Sequence, residues 1–116
     1  DVTRGGLATV LNELSESSDC RVDIRETSLP VSREVTGFCE ILGLDPLYMA
    51  NEGKMIAVVP KAQSDQALTV MRENKYGKNA SIIGTVTEGR GVYMTTKLHG
   101  SRIIDIMYGE GLPRIC

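Results

Sequence analysis

The chain has 116 residues, 41% of them apolar, which suits one globular domain with a core of its own and leaves no room for two. A net charge of −2 gives no electrostatic basis for binding nucleic acid or an anionic membrane, and one phenylalanine with four tyrosines offers few rings for stacking single-stranded bases. No apolar run approaches the roughly 20 residues of a membrane-spanning helix, and we expect no signal peptide and a cytoplasmic location.

The first predicted element is an amphipathic helix that begins after a glycine pair. Its apolar stripe is Leu7, Val10, Leu11 and Leu14. Gly5 and Gly6, with Arg4 beside them, then lie at a helix N-terminus, where free N–H groups and the helix dipole favour anions. Two interpretations remain open, a phosphate-facing loop or a plain capping turn with Thr3 or Asp1 as the cap.

A half-buried strand and a second helix are predicted next. Residues 20–26 alternate apolar and charged side chains, which is typical of a strand with one buried face. Ser32 is a suitable N-cap and Gly43 a suitable C-cap for a helix between them. The apolar stripe of that helix is Val35, Phe38, Cys39 and Leu42. Asp45 and Pro46 then predict one short helical turn, ending at Tyr48 or Met49.

A polar loop, residues 50–54, leads into the uninterrupted apolar run 55–59. Because this run does not alternate, it predicts a central strand that is covered on both faces. A loop beside such a strand often carries reactive groups. Glu52 and Lys54, separated by Gly53, have the chemistry of a base and its charge partner, but a tight turn with two solvated charges fits equally well.

The remainder predicts one helix and three strands. The helix covers residues 64–74, and the strands cover 80–86, 92–94 and 102–106. Glu88 to Gly91 predicts a hairpin turn, and His99 to Ser101 a second turn. Ala67, Leu68 and Met71 are the expected inward residues of the helix. The whole order indicates an α/β (α+β) fold, a mixed sheet with helices packed on it, and it lacks a dinucleotide-binding glycine fingerprint.

The chain ends on a cysteine behind a glycine-rich stretch. This pattern indicates a nucleophile on a flexible arm. The thiolate of Cys116 would be the reactive group, and the preceding glycines leave the backbone flexible. We expect a domain over residues 1–107 and a flexible tail over 108–116. A chain end without a role fits the same pattern. A prenylation site does not fit, because its cysteine would lie four residues from the end.

The other sulfur and imidazole groups suggest no chemistry. Three cysteines without a CxxC spacing predict neither a disulfide framework nor a metal site, and reduced thiols fit a cytosolic protein. Cys39 is expected in the core. We assign no role to Cys20, and we expect His99, the only histidine, in an exposed turn.

Together, several motifs resemble the C-terminal half of the HypE family of hydrogenase maturation proteins. They are residues 1–8 (DVTRGGLA), 39–48 (CEILGLDPLY), 50–54 (ANEGK), 83–84 (IG) and 112–116 (LPRIC). The likeness covers essentially the whole chain. The first motif alone indicates only the wider superfamily of aminoimidazole ribonucleotide synthetase (PurM), selenophosphate synthetase and thiamine-phosphate kinase. The terminal motif is the one that separates HypE from these relatives.

The resemblance implies an ATP-dependent carbamoyl dehydratase of nickel–iron hydrogenase maturation. In that family the carbamoyltransferase HypF loads a carbamoyl group on the terminal cysteine, and ATP with Mg²⁺ drives its dehydration to a thiocyanate. The cyano group then passes to iron on the HypC–HypD scaffold. By this resemblance Cys116 is the acceptor and Glu52 a proton acceptor, while Asp1, Arg4, Gly5 and Gly6 belong to the nucleotide loop.

The resemblance also implies a PurM C-terminal fold, with helices on both faces of a mixed sheet, and a homodimer for the full-length protein. The family's N-terminal half, which carries most of the ATP- and metal-binding residues, has no counterpart in this sequence. We therefore expect these residues alone to be inactive. Two other functions stay open. One is a carrier or docking module, with a tail that partner proteins recognise as a peptide and no chemistry of its own. The other is the C-terminal half of another ATP-using enzyme of the superfamily.

Overall fold

The structure, a computed structural model, describes residues 2, 4–50 and 53–105. These described residues form three α-helices and four strands. They are α1 (Gly6–Ser18), β1 (Cys20–Arg25), α2 (Arg33–Leu42), α3 (Ser64–Glu73), β2 (Gly84–Glu88), β3 (Gly91–Thr95) and β4 (Ser101–Ile103). Short 3₁₀ turns cover Glu26–Ser28, Pro46–Tyr48 and Lys61–Gln63. No helix in this described part is long and apolar enough to span a membrane.

The strands form one mixed sheet in the order β2-β1-β3-β4. β1 lies antiparallel to β2, with Val22 opposite Val86, and parallel to β3, with Val22 opposite Val92. β4 pairs antiparallel with β3. A mixed sheet with three helices confirms the predicted α/β fold class. Two of the three strands in the C-terminal part differ in extent from the prediction, since β2 begins later, at Gly84, and β4 ends earlier, at Ile103.

The turn between β2 and β3 is not a hairpin, so that prediction was wrong. β1 lies between the two strands, and the chain must cross its end to reach β3. Gly89 and Gly91 make the crossing with φ of 127° and 94°, values that suit glycine. A glycine-rich turn specifies the local reversal of the chain, but it does not specify which strand lies beside which.

The prediction of a central strand at residues 55–59 was also wrong. The segment forms no strand, and the Met55 and Val58 side chains are 66% and 58% exposed. Of its residues, Ile56 packs against the core. The run is apolar enough for a buried strand, but a strand also needs a hydrogen-bonded neighbour, and the sheet of the described residues does not include it.

α1 packs against β1 and β3 and supplies one side of the core. Its buried face is Ala8, Leu11, Asn12 and Ser15. This face is rotated from the predicted stripe, and Leu7 and Leu14 pack at its border. The rotation follows from chemistry, because the Asn12 and Ser15 side chains hydrogen-bond to backbone groups that face the helix. β1 alternates as predicted, with Val22 and Ile24 buried.

α2 has the predicted caps but not the predicted buried stripe. The Ser32 hydroxyl accepts a hydrogen bond from the Val35 N–H at 3.2 Å, and Gly43 ends the helix with φ of 67°. Cys39 is buried, as expected, whereas Phe38 is 55% exposed. In α3, the expected inward residues Ala67, Leu68 and Met71 are half-buried. His99 lies in the predicted turn and is exposed.

Candidate functional site

The N-terminus of α1 follows the glycine pair that the sequence singled out. Gly5 is the N-cap, and Gly5 and Gly6 have φ of 74° and 66°. As a glycine, the N-cap residue itself offers no side-chain cap, no acidic residue lies in the first turn of the helix, and Arg4 is exposed beside it. A helix N-terminus favours anions through its first N–H groups and its dipole. Asp1 and Thr3, the alternative caps, lie outside the described residues.

Gly6 packs directly against the backbone of residues 47–49. A Cβ atom on Gly6 would lie 2.5 Å from the Met49 carbonyl oxygen and 2.6 Å from that of Leu47. A side chain is therefore sterically excluded at this position. The contact brings the glycine pair next to the segment that leads into the predicted reactive loop.

Asp45 stabilises the turn Pro46–Tyr48, which contacts Gly6. Its Oδ1 atom accepts a hydrogen bond from the Leu47 N–H at 3.0 Å, and its Oδ2 atom accepts one from the Arg102 guanidinium on β4. This hydrogen bond raises the pKa of Arg102, against the opposing effect of its partial burial. Leu47 and Tyr48 are buried, so the turn belongs to the core. The helical turn predicted after Asp45 is confirmed.

Lys54, the last residue of the predicted reactive loop, lies beside Val2. The Val2 N–H donates a hydrogen bond to the Lys54 carbonyl oxygen at 3.0 Å. Gly53 has φ of 74°, and nothing lies within 4 Å of where its Cβ atom would be. Lys54 is exposed. Glu52 lies outside the described residues, so its role as a base, with Lys54 as charge partner, stays a prediction.

Two buried side chains fasten the segment that precedes the tail. The Tyr48 hydroxyl donates a hydrogen bond to the Asp105 carbonyl oxygen at 2.7 Å. The Asn12 amide donates to the Ile104 carbonyl oxygen at 2.9 Å and to that of Ala8 at 2.8 Å. Cys116, like all of residues 106–116, lies outside the described residues.

Sequence reasoning gave no site role to Asn12 or Tyr48. A signal was present for Asn12, because an amide on the apolar side of a helix indicates a buried hydrogen bond. For Tyr48 there was no such signal, since its partner is 57 residues away in the chain.

Metal-binding groups do not cluster in the described part of the chain. Among residues 2, 4–50 and 53–105, no three His, Cys, Asp or Glu side chains are placed to hold a metal ion. Cys20 and Cys39 are free and buried. The Cys39 sulfur lies 3.3 Å from the sulfur of Met49, on the segment that also contacts Gly6. Both thiols thus lie in packed surroundings.

The chain is similar to known proteins along its whole length. The profile of the family described as AIR synthase related protein, C-terminal domain, matches residues 1–97. The carbamoyl dehydratase HypE of Rhodobacter capsulatus is 51% identical, over 100% of this chain and 35% of its own. The chain thus spans about a third of the length of the curated relatives it matches.

Solved structures agree in fold. The crystal structure of a hydrogenase maturation protein HypE in complex with ATP superposes with a TM-score of 0.91 at 44% identity, covering 100% of this chain and 36% of that one. A crystal structure of a HypE–HypF complex superposes with a TM-score of 0.88 at 43% identity, covering 92% of this chain and 35% of that one.

Proposed function

The chain belongs to the AIR synthase related proteins, as one of their C-terminal domains, and we propose that it works as the C-terminal part of an ATP-dependent carbamoyl dehydratase. The resemblance to HypE is confirmed by identities of about 50% over the whole chain. One structural observation carries the proposal. Residues 46–49 contact the glycine pair at Gly6, hold the base of the tail at Asp105 and lead directly into the loop that contains Glu52.

In the proposed reaction Cys116 carries the substrate as a thiocarboxamide. The carbonyl oxygen of a carbamoyl group is a poor leaving group, and transfer of a phosphoryl group from ATP converts it to a good one. Loss of that oxygen as phosphate, with removal of both N–H protons, leaves an S-bound cyano group, ADP and inorganic phosphate. Glu52 is the proton acceptor, a role that suits a carboxylate near a positive charge such as Lys54.

The ATP phosphates would lie at the N-terminus of α1, next to Gly5 and Gly6. The glycine at the N-cap, the lack of an acidic residue in the first turn and the exposed Arg4 support this placement. Asp1 belongs to the same loop in the resemblance. By the resemblance to HypE, the Mg²⁺ that accompanies ATP would be bound mainly by the N-terminal part of the full-length protein.

The proposal includes partners and a location. A HypE protein has been solved with HypF, and we propose that HypF loads Cys116 here. A HypC–HypD scaffold would accept the cyano group, the full-length protein would be a homodimer, and the reaction would occur in the cytoplasm. Cys116 must then reach a partner in one position and a closed site in another, because a phosphorylated intermediate would otherwise hydrolyse.

Intact mass spectrometry of the full-length protein tests the acceptor. After addition of HypF, carbamoyl phosphate and ATP, we expect a mass gain of one carbamoyl group, followed by loss of the elements of water. Cys116→Ala should show neither change. A gain that persists in Cys116→Ala would contradict the assignment. Loading without any later loss of water would favour the carrier or docking module, and ATP turnover that does not need Cys116 would favour another enzyme of the superfamily.

A further inference from the structure

Two buried polar side chains hold consecutive carbonyl groups at the end of the described chain. Asn12 is 9% exposed and Tyr48 is 6% exposed. Asn12 donates to the Ile104 carbonyl oxygen at 2.9 Å, and Tyr48 donates to the Asp105 carbonyl oxygen at 2.7 Å. We call residues 104 and 105, with these two donors, the tail root.

The tail root is fastened from three directions. Asn12 belongs to α1, Tyr48 belongs to the turn Pro46–Tyr48, and the Ile104 N–H donates to the Val92 carbonyl oxygen of β3 at 2.8 Å. Ile104 itself is fully buried. The backbone at 104–105 is thus held by hydrogen bonds to elements that are far apart in sequence.

The position of the tail root matters because eleven residues, 106–116, follow it in the sequence. A fully extended chain spans at most about 3.6 Å per residue, which limits the reach of Cys116 to roughly 40 Å from Asp105. Tyr48 lies in the turn that contacts Gly6, so the backbone at Asp105, from which residues 106–116 continue, is held next to the residues that we place at the nucleotide. Because this anchor point does not move, Cys116 can take fewer positions away from the nucleotide.

We propose that Asn12 and Tyr48 are positioning residues for dehydration on Cys116. This inference rests on the proposed function. Loading does not need a fixed tail root, because HypF can capture the terminus wherever the tail presents it. Dehydration needs the same terminus returned to one site in one geometry, so it depends on the tail root. Neither residue touches the reacting atoms in this role.

The test is a two-step assay on full-length Tyr48→Phe. This variant keeps the ring that fills the core and removes the hydroxyl that holds Asp105. We expect HypF to load this variant at the wild-type rate. Single-turnover dehydration should be about three- to tenfold slower, because a looser tail root lowers the fraction of molecules that hold Cys116 in the reacting position. This factor corresponds to the free energy of one hydrogen bond. Tyr93→Phe is the matched control, because the Tyr93 hydroxyl makes no hydrogen bond among the described residues while its ring lies 4.0 Å from the Arg21 guanidinium carbon.

Three results would overturn the proposal. The first is wild-type dehydration by Tyr48→Phe. The second is an equal fall in loading and dehydration with a lower unfolding midpoint, which would mean a purely structural role. The third is a wild-type protein that loads no carbamoyl group, and this removes the proposed function as well. Hydrogen exchange of the Ile104 amide separates these cases, because faster exchange in Tyr48→Phe shows that the tail root has loosened whatever the chemistry does.

Discussion

Gly6 lies so close to Met49 that a Cβ atom on Gly6 would be 2.5 Å from the Met49 carbonyl oxygen. Gly6 also has φ of 66°, which L-residues rarely adopt. Space and backbone conformation thus both require glycine. The contact fixes where the N-terminus of α1 lies relative to the backbone of residues 47–49, which come shortly before Glu52 in the sequence.

Gly6→Ala should destabilise the domain strongly. The left-handed conformation alone costs roughly 1–2 kcal/mol for a residue with a Cβ atom, and the steric contact adds to that. We expect a loss of at least about 2 kcal/mol in the free energy of unfolding, measured by urea denaturation. Gly37→Ala is the control, since nothing lies within 4 Å of its Cβ position in α2. It should stabilise by roughly 0.5–1 kcal/mol, and equal effects would contradict the steric argument.

Ser15→Ala should be costly despite its small change in volume. The buried Ser15 hydroxyl donates to the Cys20 carbonyl oxygen at 2.6 Å and accepts from the Gly91 N–H at 2.9 Å, so it joins α1 to the starts of β1 and β3. Its removal leaves both groups unsatisfied, at a cost of roughly 1–3 kcal/mol. The measurement is urea unfolding together with hydrogen exchange of the Gly91 amide, which should accelerate.

Ser17→Ala provides the comparison for Ser15→Ala. Its hydroxyl is exposed on the same helix and makes one long hydrogen bond of 3.4 Å to the Leu14 carbonyl oxygen. We expect a change within about 0.5 kcal/mol. If Ser15→Ala proved as mild as Ser17→Ala, the hydroxyl of Ser15 would not be what joins these elements.

Local chemistry made much of the fold predictable. Ser32 and Gly43 define α2 because a hydroxyl at an N-cap and a left-handed glycine at a C-cap act within one turn of helix. Asp45 starts the next turn in the same way. The alternation of residues 20–26 likewise predicted β1, whose buried residues follow it.

Features that depend on distant partners could not be predicted. The run 55–59 has the composition of a buried strand, but pairing decides whether a strand forms. The turn at 88–91 looked like a hairpin because the insertion of β1 between β2 and β3 leaves no local trace. In the site, the glycine pair was visible from its place before a helix, whereas the hydrogen bond from Tyr48 to Asp105 joins residues 57 apart.

The ion pair of Arg102 with Asp45 should contribute little, and independently of pH, near neutrality. The folded state raises the pKa of Arg102 through this hydrogen bond, so the stabilisation is complete below the unfolded pKa and is lost only as pH rises through the folded value. Both values lie far above pH 9. The Arg102 side chain is 42% exposed, and solvent screening limits the contribution to about 1 kcal/mol or less.

Arg102→Gln should therefore lower the free energy of unfolding by the same small amount at pH 6 and pH 9, measured by urea denaturation. Arg90→Gln is the control. Its partner is Asp19, and both side chains of that pair are mostly exposed. We expect no measurable change there, because water screens the pair almost fully. A loss at Arg102 that grew between pH 6 and pH 9 would mean that another titrating group is coupled to the pair.

Glu52 distinguishes the dehydratase from a docking module. In the full-length protein, Glu52→Gln should leave HypF loading of Cys116 unchanged and slow dehydration about 10²–10⁴-fold, the usual loss when a positioned base is removed. Mass spectrometry of the carbamoylated protein after addition of ATP measures both steps. Glu40→Gln is the matched control, because Glu40 is exposed on α2 and carries the same charge. If both variants dehydrated like the wild type, Glu52 would not be the base. If Cys116 were loaded but its carbamoyl group never lost water, with or without Glu52, the protein would be a carrier with a tail that other proteins recognise.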